Sequence, residues 1–168
     1  MKLQTLSLKA FGPFTDRELQ LNPKATLHLI YGPNESGKSS SLRALRNLLY
    51  GFPHQTPDDF LHPTSKLQVG GTFQTPEGGL QEFVRWKRRK RDLTDPSGEE
   101  DLSGLMDRYL SGLKPEMFDR LYGLTHSDLV SGGQALLELR GRVGESLFTA
   151  SLGPEYHNLA AELKAEHE

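Results

Sequence analysis

Residues 32–39 read Gly32-Pro33-Asn34-Glu35-Ser36-Gly37-Lys38-Ser39 and fill every fixed position of G-x-x-x-x-G-K-[ST], the pattern of a loop that wraps the phosphates of a nucleoside triphosphate. The residue types answer to that chemistry. Glycines let the backbone curl until its N–H groups point inward, Lys38 reaches the β- and γ-phosphates, and the Ser39 hydroxyl holds Mg²⁺. The candidate contacts are therefore the whole run with Ser40 beside it. Thr26 to Tyr31, just before the loop, is a short and mostly apolar run of strand character, and Leu42, Leu45, Leu48 and Leu49 recur at helical spacing after it. Strand, glycine loop, helix is the order such a loop requires. A chance match is the bland alternative, and this setting disfavours it.

The chain of 168 residues, 35% hydrophobic and 25% charged, suits one folded domain with a sizeable core. No run approaches the ~20 apolar residues of a membrane span, and the opening alternates polar and apolar residues instead of forming a signal core. The expected setting is the cytoplasm, with no membrane partner. Zero cysteines exclude disulfides, thiolate metal sites and cysteine nucleophiles. The net charge of −2 gives no global attraction to nucleic acid, so any such contact has to come from a local patch.

Leu3, Leu6 and Leu8, then Phe11 and Phe14 around Gly12-Pro13, with Leu19-Gln20-Leu21 following, predict a strand pair ahead of the loop. Residues 51–65, with Pro53, Pro57 and Pro63, read as a surface loop. Residues 67–73 and 80–86 flank Thr75-Pro76-Glu77-Gly78-Gly79, the signature of a hairpin. Beyond a turn at Asp95-Pro96-Ser97-Gly98 the pattern is helical: 102–113, 115–124 opened by Pro115, a short helix near 145–152, and 155 onward.

Three stretches carry a family likeness. They are Leu6 to Phe14, Leu27 to Ser39, and Leu42-Arg43-Ala44-Leu45 leading to Leu49-Tyr50-Gly51-Phe52. Together they resemble the amino-terminal head segment of SMC/SbcC-like ATPases, most of all the YhaN-like DNA-repair ATPases. The likeness continues through Phe118 to Thr125, Leu129, Gly132-Gly133 and Leu147 to Gly153. It implies an α/β P-loop NTPase lobe of the ABC/SMC-head type over 1–153, with a mixed sheet, a β-hairpin and a helical subregion. Residues 154–168 would begin a helix, either a coiled coil or an ordinary terminal helix. It further implies ATP and Mg²⁺, and a carboxy-terminal lobe supplying the signature and Walker B motifs, without which this chain would hydrolyse little ATP. The implied partners are a second head in an ATP-dependent homodimer, double-stranded DNA, and a nuclease. His126 falls where the family often has a glutamine that senses the metal and the attacking water. That departure leaves a catalytic role for His126 beside Lys38 open against a plain loop histidine, with Asp128 a weaker candidate.

Arg85, Lys87, Arg88, Arg89, Lys90 and Arg91 form a basic run broken only by Trp86. It reads either as a DNA-backbone contact or as a solvated edge strand. Ser131-Gly132-Gly133-Gln134 imitates an ABC signature, yet no apolar strand ending in Asp-Glu follows it, so a helix-breaking glycine turn is the expectation. Asp95 to Gly98 matches the D-x-x-G of GTPases but lacks any Asn-Lys-x-Asp, which leaves a β-turn. The histidines are too scattered for a metal cluster. The leading function is an ATP-binding lobe of a DNA-repair or chromosome-maintenance ATPase. Its alternatives are a small-molecule P-loop kinase and a non-catalytic nucleotide-binding module.

Overall fold

The computed structural model describes residues 1–138, which fall into a unit of Met1–Gly123 and a second from Leu124 onward. The helix expected near 145–152, the boundary at 153 and the helix or coiled coil of 154–168 lie outside the described residues.

The first unit holds a five-stranded sheet of β1 (Lys2–Phe11), β2 (Phe14–Gln20), β3 (Gln68–Gln74), β4 (Leu80–Trp86) and β5 (Leu93–Thr94), ordered β2-β1-β3-β4-β5. Every pairing in it is antiparallel. The expected strand pair forms, turning through Gly12-Pro13 with Phe11 opposite Phe14. So does the hairpin, closed by Thr75 N–H to Gly79 O at 2.9 Å. The mixed sheet does not form among the described residues: the five strands pair only antiparallel, and residues 26–31, which would have supplied a further strand, lie outside all of them.

Helix α1 (Lys38–Tyr50) lies on this sheet. Its Ala44, Leu48 and Leu49 meet Leu6, Leu8, Val69, Phe73 and Phe83 in one buried cluster, each large side chain contributing roughly 1.5–3 kcal/mol of burial. A shift in register between Ser7 and Ala10 brings Phe11, three positions from Leu8, back into that core. Gly71 sets the distance between layers: a Cβ there would stand 2.8 Å from Leu48 Cδ2 and 2.9 Å from Thr5 O.

The carboxy-terminal end of α1 is closed by Arg85. Only 6% exposed, it donates from Nε to Leu48 O and from a terminal nitrogen to Leu49 O, both at 3.1 Å, and pairs with Asp92 at 2.6 Å. The orphan carbonyls of a helix end and its negative dipole both favour a cation there. Arg85 is thus a structural residue and not a surface contact for DNA. Residues 87–91 form a tight connection between β4 and β5, not the edge strand that alternation suggested.

Helices α2 (Ser103–Leu110) and α3 (Pro115–Leu121) end three residues earlier than their patterns predict. α2 stops at left-handed Ser111 and Gly112, and Pro115 opens α3 as expected. Arg46 ties α1 to α3 through paired bonds of 2.7 and 2.9 Å to Asp119. That carboxylate hydrogen bond holds the guanidinium above its usual range.

Asp95 to Gly98 is a turn closed by Gly98 N–H to Asp95 O at 3.0 Å. Its Asp95 carboxyl is pushed down to about 2, first by the Ser97 hydroxyl and then by the Glu100 N–H.

In the second unit α4 (His126–Glu138) runs through Ser131-Gly132-Gly133-Gln134, where a glycine turn was expected. Glycine costs roughly 1 kcal/mol against alanine in a helix but keeps its N–H, so the ladder survives. Thr125 and Asp128 cap the start, Asp128 N–H donating to Thr125 Oγ1 at 3.2 Å and Thr125 N–H to Asp128 Oδ2 at 2.9 Å. No helix among the described residues is long and apolar enough to cross a membrane.

Candidate functional site

The glycine loop sits at the amino-terminal end of α1, where unpaired N–H groups and the positive end of the helix dipole meet. Two left-handed residues shape it. Glu35 has φ 65° and Gly37 φ 88°, and alternation of left- and right-handed backbone turns successive N–H groups into a concave, anion-seeking surface. Glu35 has a Cβ and so holds a conformation that costs of order 1 kcal/mol or more.

Gly37 has no alternative residue. A Cβ there would stand 2.2 Å from Phe14 Cζ, so the β2 aromatic buttresses the loop from beneath. Gly32 is constrained too, its hypothetical Cβ meeting Ser36 Oγ at 2.7 Å. The Lys38 ammonium folds back onto the loop and donates to Gly32 O at 2.8 Å and Pro33 O at 2.7 Å. Ser39 is exposed beside it, while Ser40 is buried. An open cavity of about 600 Å³ lies here, lined by Pro13, Asn34, Glu35, Gly37, Lys38, Ser39, Ser40 and Phe60. Of the predicted contacts, Asn34, Glu35, Gly37, Lys38, Ser39 and Ser40 are brought together on this cavity while Gly32, Pro33 and Ser36 do not line it, and the ammonium and exposed hydroxyl at a helix amino terminus fit a Mg²⁺-bound triphosphate.

Several residues at this site escaped the sequence reading. Arg43 on α1 donates from Nε to Asp58 Oδ2 at 2.8 Å and from a terminal nitrogen to Asp58 Oδ1 at 2.6 Å and to Ser40 Oγ at 3.0 Å. Asp58 is 1% exposed, and its hydrogen bond raises the Arg43 guanidinium above its usual range. The Asp58 carbonyl accepts from Gly12 N–H at 2.9 Å. The expected surface loop of 51–65 is thus pinned to the first turn of α1. The only hint in the sequence was Asp58-Asp59-Phe60-Leu61, charge and apolar bulk together in a proline-flanked loop.

His126 is the first residue of α4 and is exposed, in the second unit. Asp128 is used in capping, and the Thr125 hydroxyl holds its carboxyl below the usual range. The basic run is divided by its contacts. Lys87 Nζ donates to Pro53 O and His54 O, Arg91 to Glu99 O, and Arg88 Nε to Arg91 O at 2.7 Å while its guanidinium lies 5.6 Å from the Trp86 ring. Arg88, Arg89 and Lys90 are exposed.

A strand pair, a glycine loop and a helix, with Lys38 on the wall of an open cavity, define an α/β module of the nucleotide-binding class. The chain belongs to the AAA domain family, which matches it over residues 1–168. Membership implies nucleotide binding, usually with Mg²⁺, and ATPase activity in general. The chain is also similar to "Uncharacterized protein YhaN" of Bacillus subtilis (strain 168), at 24% identity over 157 residues. That match covers 90% of this chain and 16% of the relative's length. Both findings support the SMC/YhaN-like amino-terminal resemblance drawn from the sequence.

The double constraint on Gly37 yields a test. Gly37→Ala should destabilise the first unit by at least ~1–2 kcal/mol, the cost of a left-handed residue with a Cβ, with the Phe14 clash added. Gly37→Ala with Phe14→Ala should relieve the clash but not the backbone strain. Urea midpoints followed by circular dichroism check both; a Gly37→Ala midpoint equal to the parent's would show that neither constraint operates.

Proposed function

We propose that this chain is the nucleotide-binding amino-terminal lobe of an SMC/YhaN-like ATPase head that binds Mg²⁺-ATP at Gly32 to Ser40. The observation that carries the reading is the Lys38 ammonium held over the loop carbonyls at the mouth of the 600 Å³ cavity, at the head of α1. Two backbone carbonyls are weak partners for an ammonium, which would exchange them for phosphate oxygens. The loop N–H groups would stabilise phosphate charge, and Ser39 would hold Mg²⁺.

Lys38→Ala should weaken Mg²⁺-ATP binding by well over tenfold, on the scale of ~2 kcal/mol for a charge-assisted contact. Calorimetry checks it. Equal affinity in parent and variant would remove the assignment.

Completion by a carboxy-terminal lobe is supported by residues 26–31. Leu27 is 82% and Tyr31 86% exposed, and this stretch borders, through His28 and Ile30, a largely apolar groove of about 250 Å³ whose wall also carries Leu19, Leu42, Leu45 and Lys38. An extended apolar segment with unpaired backbone is a template for added strands. The sequence has no apolar strand ending in Asp-Glu to poise water. The 168-residue chain should therefore hydrolyse ATP only at background, and the matching carboxy-terminal lobe of its full-length protein should raise turnover by orders of magnitude. Robust Lys38-dependent phosphate release from the chain alone, in a steady-state assay, would refute the completion model.

Duplex DNA is the proposed macromolecular partner, met chiefly through Arg88, Arg89 and Lys90, which are exposed together with Arg91 on one short connection. Such contacts release counterions and read no sequence. Replacing all three by Ala in the assembled head should flatten the log–log salt slope by roughly one unit for each phosphate left without its cation, with Lys38-dependent ATP binding intact. A fluorescence-anisotropy titration with an unchanged slope and affinity would exclude this surface.

A further inference from the structure

Phe60 is 69% exposed, large and apolar, yet it is held in place on both sides. On one side Asp58 is locked by Arg43 and by Gly12 N–H to its carbonyl. On the other, His62 Nε2 lies 2.8 Å from Phe14 O and 3.1 Å from Thr15 Oγ1, and Thr64 Oγ1 donates to Asp59 Oδ2 at 2.7 Å. The Asp58 and His62 anchors sit on the β1–β2 turn, on β2 and on Arg43 of α1, the elements that flank the glycine loop, while the Thr64–Asp59 bond braces the segment internally. Between its two clamps the Phe60 ring borders the same cavity as Lys38 and Ser39, with Pro13 also on the wall. An exposed aromatic costs free energy in water, and one set between two anchored flanks on the wall of a phosphate cradle has an evident partner in the flat face of a base.

We propose that Phe60 is the platform on which the base of the bound nucleotide stacks, so that the phosphates are held by the glycine loop and the base by an aromatic face. This rests on the reading of Gly32 to Ser40 as a triphosphate site. The cavity, about 600 Å³, is of the size that takes a small organic ligand. Stacking uses the π-face common to all bases and reads no hydrogen-bonding edge. Phe60 thus contributes affinity for the nucleoside half of the ligand and none for its phosphates.

Isothermal titration of the parent, Phe60→Ala and Phe60→Trp with Mg²⁺-ATP and with Mg²⁺-tripolyphosphate separates the two halves. Phe60→Ala should weaken ATP binding on the order of tenfold, in line with the loss of one base–aromatic stack, and leave tripolyphosphate binding unchanged. Phe60→Trp should keep ATP affinity, and its added fluorescence should be quenched by ATP but not by tripolyphosphate. The exposure of Phe60 makes both variants safe for folding. Equal loss of both ligands, or loss of neither, overturns the platform while Lys38-dependent tripolyphosphate binding still upholds the loop assignment. A parent that binds neither ligand overturns both.

Discussion

The arrangement depends on how the two ends of α1 are satisfied once the helix is pressed on the sheet. Its last carbonyls face a region closed to water, and Arg85 from β4 answers them while Asp92 balances its charge. A buried guanidinium with three partners is tolerable only because all three are present; removing any one would leave charge or carbonyls uncompensated. The helix is thereby indexed along its axis, and its first turn is delivered to one place above the β1–β2 turn.

At that first turn the requirements are opposite. The N–H groups have to stay free to meet an anion, and no side chain among the described residues caps them. The loop is held from behind instead: Phe14 fills the space beneath Gly37, and the Arg43–Asp58 pair grips the next turn beside Ser40. None of Phe14, Arg43 and Asp58 lines the cavity, whose wall carries the Lys38 ammonium, the Ser39 hydroxyl and the Phe60 ring. A preformed cradle of this kind binds phosphate without first paying to order its own backbone.

The same logic explains the exposed apolar stretch. Residues 26–31 enter the glycine loop as strand-like sequence, but they pair with none of the five described strands. Leu27, Leu29 and Tyr31 therefore stand in solvent. This exposed stretch is the observation behind the completion by a second lobe proposed above.

Whatever depends on neighbours in sequence was legible without coordinates. The glycine loop, the Gly12-Pro13 turn, the hairpin around Gly78, the turn at Asp95 and the proline start of α3 all follow from local backbone chemistry, where a few residues carry the whole preference. The strand at 26–31 failed because a strand is made by its partners, and a short apolar run does not show that another strand lies beside it. Arg85 was grouped with its basic neighbours because charge is visible in sequence, whereas its burial against Leu48 and Leu49, 37 and 36 residues away, is not. Asp58, Phe60 and His62 escaped for the same reason, being given their places by Arg43, Gly12 and Phe14 across the fold. The sequence alone determined which loop could hold a phosphate; the tertiary structure decided which side chains stand behind that loop and which face its cavity, because those are contacts between residues that only folding brings together.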